Sequence, residues 1–268
     1  MTSDTHTGDP VVVGIDGSAA AVYAAHWAAK EAVARDVPLR LVSCVQPPMG
    51  ICGPADWMVV EYAQTCLRAA QEAVEGADSM VKIETAILEG SPTQMLIAES
   101  HHAAMLCVGS VGIGRVARAC LGSTATEVAE GAHCSVAVIH GSVPRRRPEH
   151  GAISVGVGDS AENDDVIAAA VAEAQLRSLP IVAVGVCAPE TGISSRQELT
   201  RRVAMWRERY PDLQITAKPV TTGIALFMAK PTESIELVVI GADDATDLPT
   251  IIGPHTEEAG YSVLIVRS

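Results

Sequence analysis

The chain has 268 residues, long for a single open-sheet domain and suited to two domains of about 130 residues each. Hydrophobic residues make up 48% of it and aromatics only 3%, so the core must be built from Ala, Val, Leu and Ile, the composition of parallel sheets covered by helices. A net charge of −13 with no opposing basic stripe argues against nucleic-acid binding or attachment to an anionic membrane surface, and no apolar run reaches the roughly 20 residues of a membrane span.

The N-terminus, MTSDTHTGDP, lacks the basic start and apolar stretch of a secretion signal, so a cytoplasmic protein is expected. An apolar strand then begins at Val11 and meets the turn Asp16-Gly17-Ser18, followed by an Ala-rich helix ending near Asp36. After Pro38 comes the strand LRLVSCV, then a helix from about Trp57 to Asp78 and the alternating segment VKIETAIL. A short helix, the strand AMLCVG, another helix and the strand SVAVIH complete the first half. GSVPRRRPEHG, from Gly141 to Gly151, has no apolar periodicity and reads as a linker, giving domains at 1–142 and 151–268.

The order then repeats. ISVGVGDSAEN, from Ile153, overlays VVVGIDGSAAA, from Val11, at an offset of 142 residues. A helix ending near Ser178, the strand IVAVGVC after Pro180, and a helix from about Ser194 to Arg209 follow. LQITAKPV, a short helix, ELVVIG, a helix and SVLIVR close the second copy. Strands alternating with helices predict five parallel strands per domain with helices on both faces of each sheet.

Ligands of open parallel sheets bind outside the carboxyl ends of the strands, where strand order reverses. After the fourth strand stands GSVGIGRVARACLGST, with the skeleton Gly109, two residues, Gly112, nine residues, Gly122-Ser123. Gly109 and Gly112 allow unusual backbone angles and a close main-chain approach to a ligand. Gly122-Ser123-Thr124 opens a helix whose free N–H groups and hydroxyls suit phosphate. Arg115 and Arg118 either add charge there or are solvated.

This spacing resembles the nucleotide signature of the ATP-binding branch of the universal stress protein family. LGSTATEVAEGAHCSVAVI and VGIDGS are similar to that family's closing and opening segments, and over both copies the resemblance covers nearly the whole chain. It implies two tandem α/β domains of adenine nucleotide alpha hydrolase-like fold, strand order 3-2-1-4-5, in a stress-response regulator of actinobacterial type. It also implies that Asp16 meets the adenine or ribose, Val45 packs on the base, and Gly109, Gly112, Gly122 and Ser123 hold phosphates. Asp16 is also explicable as a turn residue that caps the first helix. Ile113 departs from the basic residue that many members carry after the second glycine. The implied cofactor is ATP, with or without magnesium, and the implied partners are the adenine nucleotide and an unidentified regulatory protein. The last strands, SVAVIH and SVLIVR, could support a homodimer or pair within one chain. The alternatives are a slow ATPase or adenylyl-transferring enzyme, and a ligand-free interaction scaffold.

The corresponding second loop, GADDATDLPTIIGPHTEEAG from Gly241, has Asp244 in place of the second glycine, Asp243 and Asp247 nearby, and Gly253-Pro254 in place of Gly-Ser. Gly158 and Asp159 replace Asp16 and Gly17. One carboxylate about 4 Å from a phosphate costs roughly 4 kcal/mol at an effective dielectric of about 20, so no ATP is expected there. The three aspartates form either a hydrated turn or a cation site. No phosphate-loop lysine, nucleophile elbow or zinc-protease motif is present, and no active site is assembled. His101-His102 ends a short helix, where dipole and metal readings compete. His26, beside Trp27 in the first helix, reads as packing or surface. The 7 cysteines, with no C-x-x-C, fit reduced core thiols, with redox sensing as the alternative.

Overall fold

The computed structural model describes residues 8–46, 54–77, 80–112, 121–141, 151–158, 163–187, 192–228, 234–252 and 260–267. The chain divides into two compact units, with the first ending at Ser142. Of the linker expected from Gly141 to Gly151, residues 142–150 lie outside the described residues.

The first unit runs β1 (Val11–Gly14), α1 (Ala19–Arg35), β2 (Leu39–Val45), α2 (Pro54–Gly76), β3 (Ile83–Glu89), α3 (Pro92–Glu99), β4 (Met105–Gly109), α4 (Ser123–Gly131) and β5 (Val136–Ile139). Its sheet order is β3-β2-β1-β4-β5, and every pairing is parallel. Val11 sits between Leu39 and Met105, and all three are buried. Helices α1 and α2 pack on one another and on one face of the sheet; α3 and α4 pack together on the other.

Local chemistry sets the ends of α1. Ser18 is its N-cap, its Oγ accepting from the Ala21 N–H at 3.1 Å. Asp36 ends it in the left-handed region, φ 54°, and the Val37 N–H then donates back to the Ala32 carbonyl at 3.0 Å. The buried side of α1 is largely alanine (20, 21, 24, 25, 28, 29 and 32), which lets the helix lie close to the sheet. A Cβ on Gly109 would stand 2.8 Å from the Ala20 Cβ, and one on Gly141 2.5 Å from the Ala20 Cα. Helix α2 begins at Pro54, three residues before the predicted start at Trp57, because proline suits a first helical turn, where its missing N–H costs no intrahelical bond.

The second unit runs β6 (Ala152–Val157), α5 (Asn163–Arg177), β7 (Ile181–Val186), α6 (Gly192–Arg209), β8 (Ile215–Val220), α7 (Ile224–Met228), β9 (Ile235–Gly241), α8 (Leu248–Ile251) and β10 (Ser262–Val266). Its order, β8-β7-β6-β9-β10, repeats the first unit's, again parallel throughout. Ser178 at φ 55° ends α5 as Asp36 ends α1, with the Leu179 N–H donating to the Ala174 carbonyl at 3.0 Å. The acidic segment read as a loop is helical: a 3-10 stretch covers Ala242–Asp247 and leads into α8. Pro249 falls in the first turn of α8, and Asp243 and Asp244 in the first turn of the 3-10 stretch, where carboxylates are favoured. Between ELVVIG and SVLIVR, where one helix is expected, α8 stands at Leu248–Ile251, and residues 253–259 lie outside the described residues. No helix among the described residues is long and apolar enough to cross a membrane.

Candidate functional site

In the first unit a cavity of about 380 Å³ opens at the carboxyl ends of β1, β2 and β4. Strand β1 has β2 on one side and β4 on the other, so the chain order reverses at this point. All seven predicted site residues line the cavity: Asp16, Val45, Gly109, Gly112, Gly122, Ser123 and Thr124.

Two loops are tied together at its mouth. The Asp16 Oδ1 accepts from the Ser18 N–H at 2.9 Å, an Asx turn that leads into α1, while Ser18 itself supplies the cap. The Ser18 Oγ also reaches the carbonyl of Val111 at 3.4 Å, joining the turn after β1 to the loop after β4. On the far side of that loop, the Gly122 N–H donates to the Ser110 carbonyl at 2.8 Å. Val45 forms a nearly buried wall at the end of β2, its carbonyl accepting from the Gly90 N–H at 2.8 Å.

The glycines earn their places sterically. Neither Gly109 nor Gly112 has a positive φ, so the backbone-angle reason given from sequence is not the operative one. The Cβ that Gly109 lacks would strike Ala20, so its absence lets α1 approach β4. The Cβ that Gly112 lacks would stand 2.7 Å from the Asp16 Oδ2. Gly122, by contrast, has no heavy atom nearer than 3.5 Å to its missing Cβ.

Gly122 is the N-cap of α4 and makes no side-chain cap bond, so the first-turn N–H groups after it have no intrahelical carbonyl partner. With the aligned peptide dipoles they favour an anion by about 0.3–1 kcal/mol, more where partly buried. No Lys or Arg is among the described lining residues. Arg115, Arg118 and Ile113 lie outside the described residues.

Among the contributors to this cavity that sequence reasoning missed are Val59, Tyr62 and Cys44. Cys44, on β2, has its thiol pushed up to about 11 by burial and then by the charge of Glu99. That keeps it protonated at neutral pH, the less nucleophilic form of a thiol. Among the described cysteines none forms a disulfide, and Cys66, Cys107 and Cys187 are buried.

The second unit has a cavity of about 410 Å³ in the corresponding place, lined by Gly158, Asn163, Glu198, Arg202, Asp243 and Asp244 among others. Arg202 spans it, donating from Nη1 to the Gly158 carbonyl at 2.7 Å and from Nη2 to the Asn163 Oδ1 at 2.9 Å. Burial, then the charges of Asp247 and Asp243, raise Asp244 above the usual carboxylate range. Asp159, Gly253 and Pro254 lie outside the described residues. Elsewhere, the His101 ring stacks on His133, centroids 3.7 Å apart, and the described residues contain no cluster of three or more potential metal ligands.

Comparison with known proteins agrees with this architecture. Residues 8–140 match the model of the universal stress protein family. A universal stress protein of Mycobacterium tuberculosis is 44% identical over 262 residues, 96% of each chain. The chain belongs to the universal stress protein family. A universal stress protein of Archaeoglobus fulgidus solved by crystallography shares the fold, with a TM-score of 0.70 over 96% of each chain at 12% identity. A second relative in this family, from the same Mycobacterium species, is 38% identical over 273 residues, 99% of this chain and 98% of its own. Relatives of this length and coverage extend the family relationship across both units, including the second unit with its altered loop.

Proposed function

We propose that the first unit binds an adenine nucleotide, ATP foremost, and that the protein acts in stress response by a nucleotide-dependent change in what its surface can bind. The observation that carries this reading is the convergence of Asp16, Val45, Gly112 and the uncapped start of α4 on one cavity at the strand-order reversal. The cavity offers an apolar wall for a base at Val45, a carboxylate for a ribose or base donor at Asp16, and main-chain N–H groups for phosphate at Ser123 and Thr124. A phosphate there has no Cβ to meet at Gly112 or Gly122. Magnesium, if it accompanies ATP, would be held chiefly by the phosphates, as small hard cations usually are.

The second unit is proposed to hold no nucleotide. Arg202 already satisfies two of the cavity's acceptors, and Asp243 and Asp244 line the side where phosphate would come. Nucleotide binding then acts through one unit only, a shift of population driven by differential affinity.

The test is calorimetric titration of the purified protein with ATP, ADP and AMP, repeated on Gly112→Asp. One nucleotide per chain, lost in the variant, is expected. No heat and no thermal stabilisation at millimolar nucleotide would overturn the reading in favour of a ligand-free scaffold.

A further inference from the structure

The cavity of the first unit has one wall that no motif announces. Helix α2 presents Val59, Tyr62 and Ala63 to it, the i, i+3, i+4 spacing of a single helix face. Ala63, Leu67, Ala70 and Val74 are buried and form the stripe that seats α2 on the sheet. Tyr62 lies one position to the side of that stripe and is 54% exposed, an aromatic ring turned to the cavity instead of the core. Its hydroxyl is paired with the Cys66 thiol one turn on, and it is near enough to Asp16 to feel that charge.

The second unit repeats the placement with different chemistry. Helix α6 presents Ser195, Glu198 and Leu199 to its cavity at the same spacing, with Arg202 one turn beyond Glu198 as Cys66 is beyond Tyr62. Thus an aromatic ring stands over the cavity that has the glycine loop, and a carboxylate over the one that has lost it.

We propose that Tyr62 is a specificity residue that walls the cavity from the α2 side and stacks on the base of the bound nucleotide, so that the first unit selects a nucleoside over bare polyphosphate. This rests on the nucleotide reading given above. An aromatic ring against a base contributes enough that alanine substitution costs about tenfold or more in affinity. Polyphosphate, held at the other end by main-chain N–H groups, draws nothing from the ring. Because Tyr62 is exposed and outside the buried stripe, its replacement leaves the core of α2 intact.

The experiment compares calorimetric affinities for ATP and for inorganic tripolyphosphate in wild type, Tyr62→Ala and Tyr62→Phe. The ratio of ATP to tripolyphosphate affinity is expected to fall about tenfold in the alanine variant and to recover most of that loss in the phenylalanine variant. A ratio unchanged by alanine, with wild type binding ATP, overturns the role of Tyr62 and leaves the site standing. Equal losses for both ligands overturn it as well, since they mark a disturbed loop. Wild-type protein that takes up no ATP overturns the site and its wall together.

Discussion

The Asp16 Oδ2 stands 2.7 Å from the point that a Cβ on Gly112 would occupy, so the carboxylate of the turn after β1 lies in space that position 112 leaves free. Gly112→Ala must push the carboxylate away or shift the loop. Nucleotide affinity is expected to fall about tenfold, near 1.4 kcal/mol, and to recover in part when Asp16→Ala is added. A double-mutant cycle by calorimetry measures that coupling.

Gly109→Ala is expected to act on stability instead. The added methyl would lie 2.8 Å from the Ala20 Cβ and 2.9 Å from its backbone carbon, and backbone cannot rotate away. Overpacking of this kind costs about 1–3 kcal/mol, visible as a lower denaturation midpoint in urea. Gly122→Ala, with no such contact, should cost under about 1 kcal/mol, the loss on replacing a glycine N-cap by alanine.

Asp244 gives a pH signature. Its folded-state pKa is raised, mainly by burial and then by Asp247 and Asp243, so the folded protein holds the proton more tightly than the unfolded chain does. Stability from this group is therefore lost as pH rises from the unfolded carboxylate range through the raised value. Asp244→Asn should raise the melting temperature at pH 7 by about 1–2 °C, equivalent to roughly 0.5 kcal/mol, and by less near pH 4. Differential scanning calorimetry at the two pH values checks the sign.

Cys44 should resist alkylation. With the thiol near 11, its thiolate fraction at pH 8 is on the order of a hundredfold below that of a thiol of ordinary pKa. Iodoacetamide labelling followed by peptide mass spectrometry is expected to find Cys44 modified at least about tenfold more slowly than a model cysteine peptide.

Much of the fold was legible because its punctuation is local. Pro38 and Pro180 stand just before β2 and β7, Ser18 caps α1, and Asp36 and Ser178 end their helices within a residue or two of where the pattern broke. The convergence of seven residues on one cavity was legible too, because a parallel sheet brings the ends of β1, β2 and β4 together whatever the loops contain. What stayed hidden depends on partners distant in sequence. Gly109 read as a ligand-approach residue because nothing along the chain says that Ala20 will lie against it. Tyr62 carries no motif, and its position one step off the α2 stripe has meaning only once the cavity is known. The 3-10 stretch at Ala242–Asp247 occupies the place of the first unit's glycine loop, and its helical signals, the first-turn carboxylates and Pro249, are legible only apart from that correspondence.

The alanine side of α1 sets an asymmetry in what the chain can tolerate over time. A helix seated on methyl groups can lose only one carbon per position by truncation, Ala→Gly costing about 1 kcal/mol of helix propensity. Enlargement is different, because Ala20 is already in the space that Gly109 and Gly141 leave free. Drift at Ala20, Gly109 and Gly141 is thus confined to residues no bigger than those present, and the spacing between helix and sheet there, beside the cavity mouth, is inherited as a fixed dimension.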